Sequence, residues 1–446
     1  MIPLRAYSSY DSSHVQPWET EMYFLLHPAI LGVLLLVASA AIWSSGVSVA
    51  PGELQPPQGG PPPYWLSDMG GTLKREFMQE HTAGRNEYLA YVLGVYTDLR
   101  VAPPVIRFLV VANGEEKRRH FPPFECRFTF SPIGDPPQTG DPVRASWSPI
   151  GHRGGFEPLL VTCPTPRNGS LPHLVSLVYM GTDDSRWIVP RQVERVAKRF
   201  GTIALCVTVG DEDVAGPNPR MLAEFLAFYE AVGVTRYIFY LKSPGAGLNY
   251  LTALQREYRE TTNAKGRLLV HLDAEQQDDE AVTSCVYDLV PSPIEYALAV
   301  TPRDFVVPRR DATLKGFIQR NQGVGAMTFL RYSFVGPRPV SLGNESTMTS
   351  QLKVLRSSHA DPPGMTSRAL VKVADVVQLG ARGGFSLLKP ASARVVDPRL
   401  VSVHSYVEDC EISPEATLSY DDRVLAYGDF MRQSLAWRLY IERFGA

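Results

Sequence analysis

Between Ile203 and Val300 the chain alternates short apolar runs with single amphipathic segments, and few folds accept that pattern. Ile203-Ala204-Leu205-Cys206-Val207-Thr208-Val209 has the unbroken apolar character of a strand buried on both faces. Asn218-Pro219 then supplies a helix cap with proline at the first helical position. Leu222, Phe225, Leu226, Tyr229 and Val232 follow at helical spacing until Gly233 ends the segment. The spacing predicts further strands over residues 237–241, 268–272 and 294–300, with helices around Tyr250–Tyr258 and over 280–290. Strands joined through single helices form a parallel sheet with helices on both faces. Ligands of such sheets bind beyond the carboxyl ends of the strands. The turns after Val209, Leu272 and Val300 therefore mark the expected ligand edge. The aromatic stripe Phe225, Phe228, Tyr229 reads as core rather than as a sugar platform.

Ahead of this unit the pattern changes. Residues 88–96 and 105–111 are β-branched and aromatic runs, punctuated by Pro103-Pro104 and Asn113-Gly114. A small β-rich module is expected over 86–195, followed by the α/β domain over 196–446. The five cysteines, Cys126, Cys163, Cys206, Cys285 and Cys410, have neither zinc nor CxxC spacing. In an oxidising lumen they allow two disulfides and one spare thiol, and in a cytosol they would be small buried hydrophobes. Cys126 with Cys163 is the preferred pair, because both fall in the β-rich module.

Nothing charged occurs from Met22 to Gly52, and Phe24 to Trp43 is nearly continuous apolar sequence. About 20 such residues cross a bilayer core of ~30 Å. Glu19 and Glu21 precede the run and Arg5 is the one cation before it, unlike the basic lead of a cleaved signal. The expectation is a cytoplasmic tail over 1–22, a transmembrane anchor over 23–44 and a Pro/Gly-rich stem over 45–85. Asn168-Gly169-Ser170 and Asn344-Glu345-Ser346 are glycosylation acceptor patterns that suit a lumenal domain. Net charge is -2 and dense Lys/Arg tracts are missing, so no nucleic-acid partner is expected.

Several blocks together resemble glycosyltransferase family 92, from about residue 88 to residue 420. The most specific is the helix–Gly–strand block from Leu222 through Gly233 to Phe239-Tyr240. Tyr96-Thr97-Asp98-Leu99-Arg100 is similar to the family's N-terminal tyrosine-aspartate-arginine element. Ser284-Cys285 stands at its Asn-Asp-Cys helix. Arg394-Val395-Val396-Asp397-Pro398 with Val403-His404 resembles its C-terminal element. The resemblance implies a single-pass type II Golgi membrane protein with a lumenal GT-A-like catalytic domain. That domain would transfer galactose from UDP-galactose to a glycan acceptor on a glycoprotein or glycolipid, with manganese as the usual cofactor. Two departures stand out. The family's Asp-x-Asp-Glu-Phe is here Thr301-Pro302-Arg303-Asp304-Phe305, and its late His-Tyr-Arg is Ser419-Tyr420-Asp421.

Departure of UDP leaves concentrated negative charge that a cation must stabilise. Asp304 and His404 are the candidate metal ligands left by the resemblance, a weaker pair for Mn2+ than two acids. Arg303 is the alternative cation, forking onto the diphosphate without a metal. Asp211, with Glu212 and Asp213, follows the first strand and is a candidate for the nucleotide ribose, against the plainer reading of a solvated acidic loop. Asp273-Ala274-Glu275 reads as a decoy of the acid-x-acid pattern. The catalytic residue itself is not identified. Two function classes follow: a hexosyltransferase using a UDP-sugar donor, and a catalytically silent relative that binds a glycan or a protein.

Overall fold

The computed structural model describes residues 77–445, apart from 84–85, 114–122, 131–138, 151–155, 167–169, 181–186, 210–217, 263–265, 273–277, 335–347, 349, 351–354, 362–365, 389–392 and 407–416. The expected tail, anchor and most of the stem lie outside the described residues, as do Asp211, Asp273, both acceptor asparagines and Cys410. Among the described residues no helix is long and apolar enough to cross a membrane.

The alternating segment folds as its pattern requires. Ile203–Thr208, Arg236–Leu241, Leu268–Leu272 and Tyr296–Val300 are strands. Helices Pro219–Ala231, Ala246–Thr262 and Asp278–Leu289 connect them. Asn218 caps the first helix by accepting the Arg220 amide at 2.8 Å. Gly233 closes it at φ +90°, a conformation that side-chain-bearing residues avoid. The four strands run parallel in the order 268–272, 236–241, 203–208, 296–300. Arg368–Lys372 joins antiparallel beside 296–300, then Ala326–Phe329 and Ala393–Val395 complete seven strands. The result is a mixed α/β sheet, parallel except for the 368–372 strand.

Strand parity sorts the core into two layers. Ile203, Leu205, Val207, Tyr237, Phe239, Leu298 and Val300 face one way, onto the 219–231 and 246–262 helices. Phe225, Phe228 and Tyr229 are fully buried in that layer. Ala204, Cys206, Ile238, Tyr240, Ala297 and Ala299 face the other way, onto the 278–289 helix. Tyr96, Leu109 and Leu160 of the N-terminal module enter this second layer. A disulfide fastens Cys206 to Cys285 across it.

Among its described residues the module's regular structure is all β: a six-stranded sheet built on Asn86–Asp98, Val105–Asn113 and Phe156–Pro164, and a three-stranded sheet built on Phe124–Thr129 and Leu174–Tyr179. The Cys126–Cys163 disulfide joins the two sheets. Its seam with the α/β unit is the Tyr96–Arg100 stretch. Tyr96 stacks on Tyr287 at 4.5 Å and its hydroxyl meets Ser284 Oγ at 3.2 Å. Arg100 clasps buried Asp98 through Nε and Nη2 at 2.8 and 2.9 Å. Its Nη1 donates to the carbonyls of Val373 and Val376.

A second small sheet, not foreseen from the sequence, lies beyond the 296–300 strand. Asp304–Pro308 pairs antiparallel with Val401–Tyr406, which pairs parallel with Arg331–Phe334; Leu355–Ser357 and Leu418–Tyr420 extend the layer. Residues 304–308 thus leave the main sheet rather than continuing it.

Candidate functional site

Strand order locates the site. The connection from the 203–208 strand moves to one side, and the 268–272 strand returns across it to reach 296–300 on the other side. Connections leaving in opposite directions open a crevice between the carboxyl ends of the two inner strands. Val207 and Val300 are register partners there, so the turn Thr301–Asp304 stands at the switch point. The 368–372 strand runs opposite, which brings its first residue, Arg368, to the same edge.

Asp304 is fully buried in this turn. Its Oδ2 accepts from the Thr301 amide and hydroxyl at 3.1 and 2.6 Å, and from Arg368 Nε and Nη2 at 2.8 and 2.6 Å. Arg331 Nε faces its Oδ1 at 3.4 Å. Burial alone would raise the carboxyl, but Arg368, Arg331 and Thr301 outweigh it and hold it below its ordinary value. The arginines are engaged elsewhere as well, although Arg331 Nε, like Asp304 Oδ1, makes no hydrogen bond among the described residues. Arg368 Nη1 donates to the carbonyls of Thr366, Ser367 and Ala381. Arg331 reaches Asp361 at 3.2 Å and the Ser405 hydroxyl at 2.7 Å. Tyr229 fixes the backbone beneath, donating to the Asp304 carbonyl at 2.9 Å and accepting the Val306 amide at 3.2 Å.

His404 is elsewhere. Asp304 lies opposite Ser405 and Phe305 opposite His404, and opposite residues of an antiparallel pair share a face. Asp304 and His404 therefore project from opposite faces of the small sheet. His404 is fully buried, stacked on Phe334 at 4.2 Å, with Nε2 3.7 Å from Asp421. Burial pushes its imidazole down to about 3, against the pull of Asp421, so it is neutral. Asp421 is held by Arg309 and, at 3.2 Å, by Arg356, whose guanidinium covers the Tyr332 ring.

These residues do not fit a divalent cation. Asp304 already has two guanidiniums as its counter-charge, and His404 cannot join it. Among the described residues, no three His, Cys, Asp or Glu side chains gather as a metal-ligand set. The structure does not bring the expected Asp304–His404 pair together: each is a buried group with its own neighbours. Arg303 does sit in the switch-point turn, half-buried, with its carbonyl accepting the Tyr406 amide at 3.0 Å. It is engaged with other residues of the fold. Sequence reasoning missed Arg368 and Arg331, which approach from separate strands. The one available signal was a lone acid in a turn that had lost its acidic neighbours.

The glycine-tight turn after Leu379 completes the edge. Gly380 N–H donates to Gly384 O at 2.7 Å, and Gly383 N–H donates to Gly380 O at 3.0 Å. Gly383 has φ +81°, and a Cβ there would lie 2.7 Å from the Ser367 carbonyl. Asp279 Oδ1, in the first turn of the 278–289 helix, accepts the Ala381 amide at 2.7 Å.

No family model matches the chain, and no curated protein does. Among solved structures, HddC from Yersinia pseudotuberculosis is 10% identical, covering 52% of this chain and 98% of its own, with a TM-score of 0.24. A UDP-glucose pyrophosphorylase from Acinetobacter baumannii is 11% identical over 55% of this chain and 94% of its own, with a TM-score of 0.24. Likenesses of that size carry no argument about fold or function.

Proposed function

We propose that this chain is a secretory-pathway glycosyltransferase of the family 92 type that handles its UDP-sugar without a divalent metal at the Asp304 corner. The observation that carries this reading is the switch point in strand order between the 203–208 and 296–300 strands, whose acidic corner is internally neutralised by Arg368 and Arg331. A diphosphate bound at such a corner needs positive charge, and arginine supplies it permanently. The motif resemblance at 222–240 supports a GT-A-like domain, with galactose as the donor sugar and a glycan on a glycoprotein or glycolipid as acceptor. Two disulfides, both buried, support folding in an oxidising compartment. That agrees with a Golgi protein held by the apolar run at 23–44.

The test is calorimetric titration of UDP-galactose into the lumenal domain, once with manganese and once with a chelator, followed by galactose transfer to glycan acceptors. Equal binding in both conditions, with transfer, is expected. Binding that appears only with manganese would refute metal independence. A second reading, a catalytically silent relative that binds a glycan or protein, is favoured by one observation: Asp304 Oδ2 is committed to Thr301 and Arg368, and its charge is balanced by Arg368 and Arg331. Absence of UDP-galactose binding under both conditions would favour that reading.

A further inference from the structure

We infer that Arg382, rather than Arg303, is the cation that receives the diphosphate of the nucleotide at this edge. The inference rests on the nucleotide-sugar reading above and names the residue that would carry it. Arg368, Arg331, Arg303 and Arg382 belong to the segments that meet at the switch-point edge. Arg368 and Arg331 are spent on Asp304, Asp361, Ser405 and backbone carbonyls. Arg303 is half-buried and engaged within the fold. Arg382 differs. It is exposed, and among the described residues its guanidinium has no ion-pair or hydrogen-bond partner. A guanidinium without such partners can give its charge and its planar fork to a ligand.

Its backbone, by contrast, is fixed from three sides. The turn is closed by the Gly380–Gly384 and Gly383–Gly380 bonds. Asp279 holds the Ala381 amide, and Arg368 holds the Ala381 carbonyl at 3.0 Å. Ser367 Oγ approaches the Arg382 carbonyl at 3.5 Å. The same Arg368 that neutralises Asp304 therefore positions the residue next to Arg382. The turn also meets the first turn of the 278–289 helix, which follows the 268–272 strand and so opens at the carboxyl edge of the sheet. A solvent-facing cation on a rigid support beside the crevice loses little backbone freedom when it binds, which favours recognition of a compact dianion.

The experiment compares UDP with uridine by competition or calorimetry, in chelator, on wild type, Arg382→Ala and Arg382→Lys. Arg382→Ala is expected to weaken UDP about 10- to 100-fold while leaving uridine unchanged, with Arg382→Lys between the two. Thermal unfolding should coincide for all three proteins, since among the described residues this guanidinium makes no ion pair or hydrogen bond. If wild type binds UDP and Arg382→Ala binds it equally well, the assignment to Arg382 is overturned while the nucleotide reading stands. A loss shared equally by uridine also overturns the assignment, because it would not come from the phosphates. Wild type that binds no UDP at all overturns the nucleotide reading, and the assignment with it.

Discussion

Two buried aspartates in this molecule have nearly the same surroundings and stand in very different places. Asp98 is gripped by Arg100 and Arg107, and Asp304 by Arg368 and Arg331. Each carboxyl is pulled upward by burial and then held below its ordinary value by its two guanidiniums. In each, one arginine also donates to backbone carbonyls of the 366–381 segment. Asp98 lies in the seam between the β-rich module and the sheet, whereas Asp304 lies at the switch point. The Asp98 cluster thus shows what a purely structural Asp–Arg–Arg arrangement looks like, with both carboxylate oxygens hydrogen-bonded; Asp304 shares its charge balance, but its Oδ1, 3.4 Å from Arg331 Nε, is buried without a hydrogen bond among the described residues. Position at a ligand edge does not make a neutralised acid a ligand, and function there is better sought in charge the fold has not consumed.

The sharpest way to break the likeness is to remove one arginine from each cluster. Arg100→Ala and Arg368→Ala each strand a buried carboxylate and several carbonyls, so each is expected to cost about 3–5 kcal/mol. Urea unfolding measures both. A much smaller cost for Arg368→Ala would mean that its corner is built for something other than stability, and the parallel would fail.

Acid titration separates the two regions next. An aspartate held below its unfolded value contributes stability that is present above about pH 4 and fades as pH falls through its folded pKa. Both clusters share that window. His404, which backs the Asp304 strand, acts earlier: it stays neutral in the fold but is protonated when unfolded, so it removes stability from about pH 6.5 downward. At pH 5 this amounts to about 2 kcal/mol. His404→Phe, which keeps a ring on Phe334, should flatten the decline between pH 7 and pH 5. A variant whose stability falls as steeply as wild type over that range would show that His404 titrates near its ordinary value.

The smallest contrast comes from two tyrosines. Tyr229→Phe leaves the Asp304 carbonyl and the Val306 amide without their hydroxyl, and should cost about 2 kcal/mol. Tyr96→Phe removes only the Ser284 contact and should cost about 1 kcal/mol, because the stack on Tyr287 remains. Thermal melts of the pair would test this order, and a reversed order would place the greater strain at the module seam.

Much of the α/β frame was legible because its determinants are local. The apolar run at 203–208, the Asn218-Pro219 cap and Gly233 each write their own structure within a few residues. The aromatic stripe at Phe225, Phe228 and Tyr229 read as core rather than as a sugar platform, and it is core. The Cys126–Cys163 pair followed from two cysteines sharing one β-rich module. The corner was not legible, because its chemistry is assembled across the chain. Arg368 reaches Asp304 over a separation of 64 residues, and sequence order says nothing about which of many arginines will do so. The small sheet escaped for the same reason: pairing of 304–308 with 401–406 depends on a partner far along the chain. His404 read as a ligand candidate through resemblance alone, while strand parity turns it away from Asp304.

The hold of Arg100 on Val373 and Val376 bears on how this protein can be dissected. A shortened chain starting at Gly201 would retain every strand of the mixed sheet. It would nonetheless forfeit the clamp that steadies the approach to the Gly380–Gly384 turn, together with the Tyr96 cover over Tyr287. The compositional border near residue 196 is thus no cleavage plane, and the β-rich portion is scaffolding for the far rim of its neighbour.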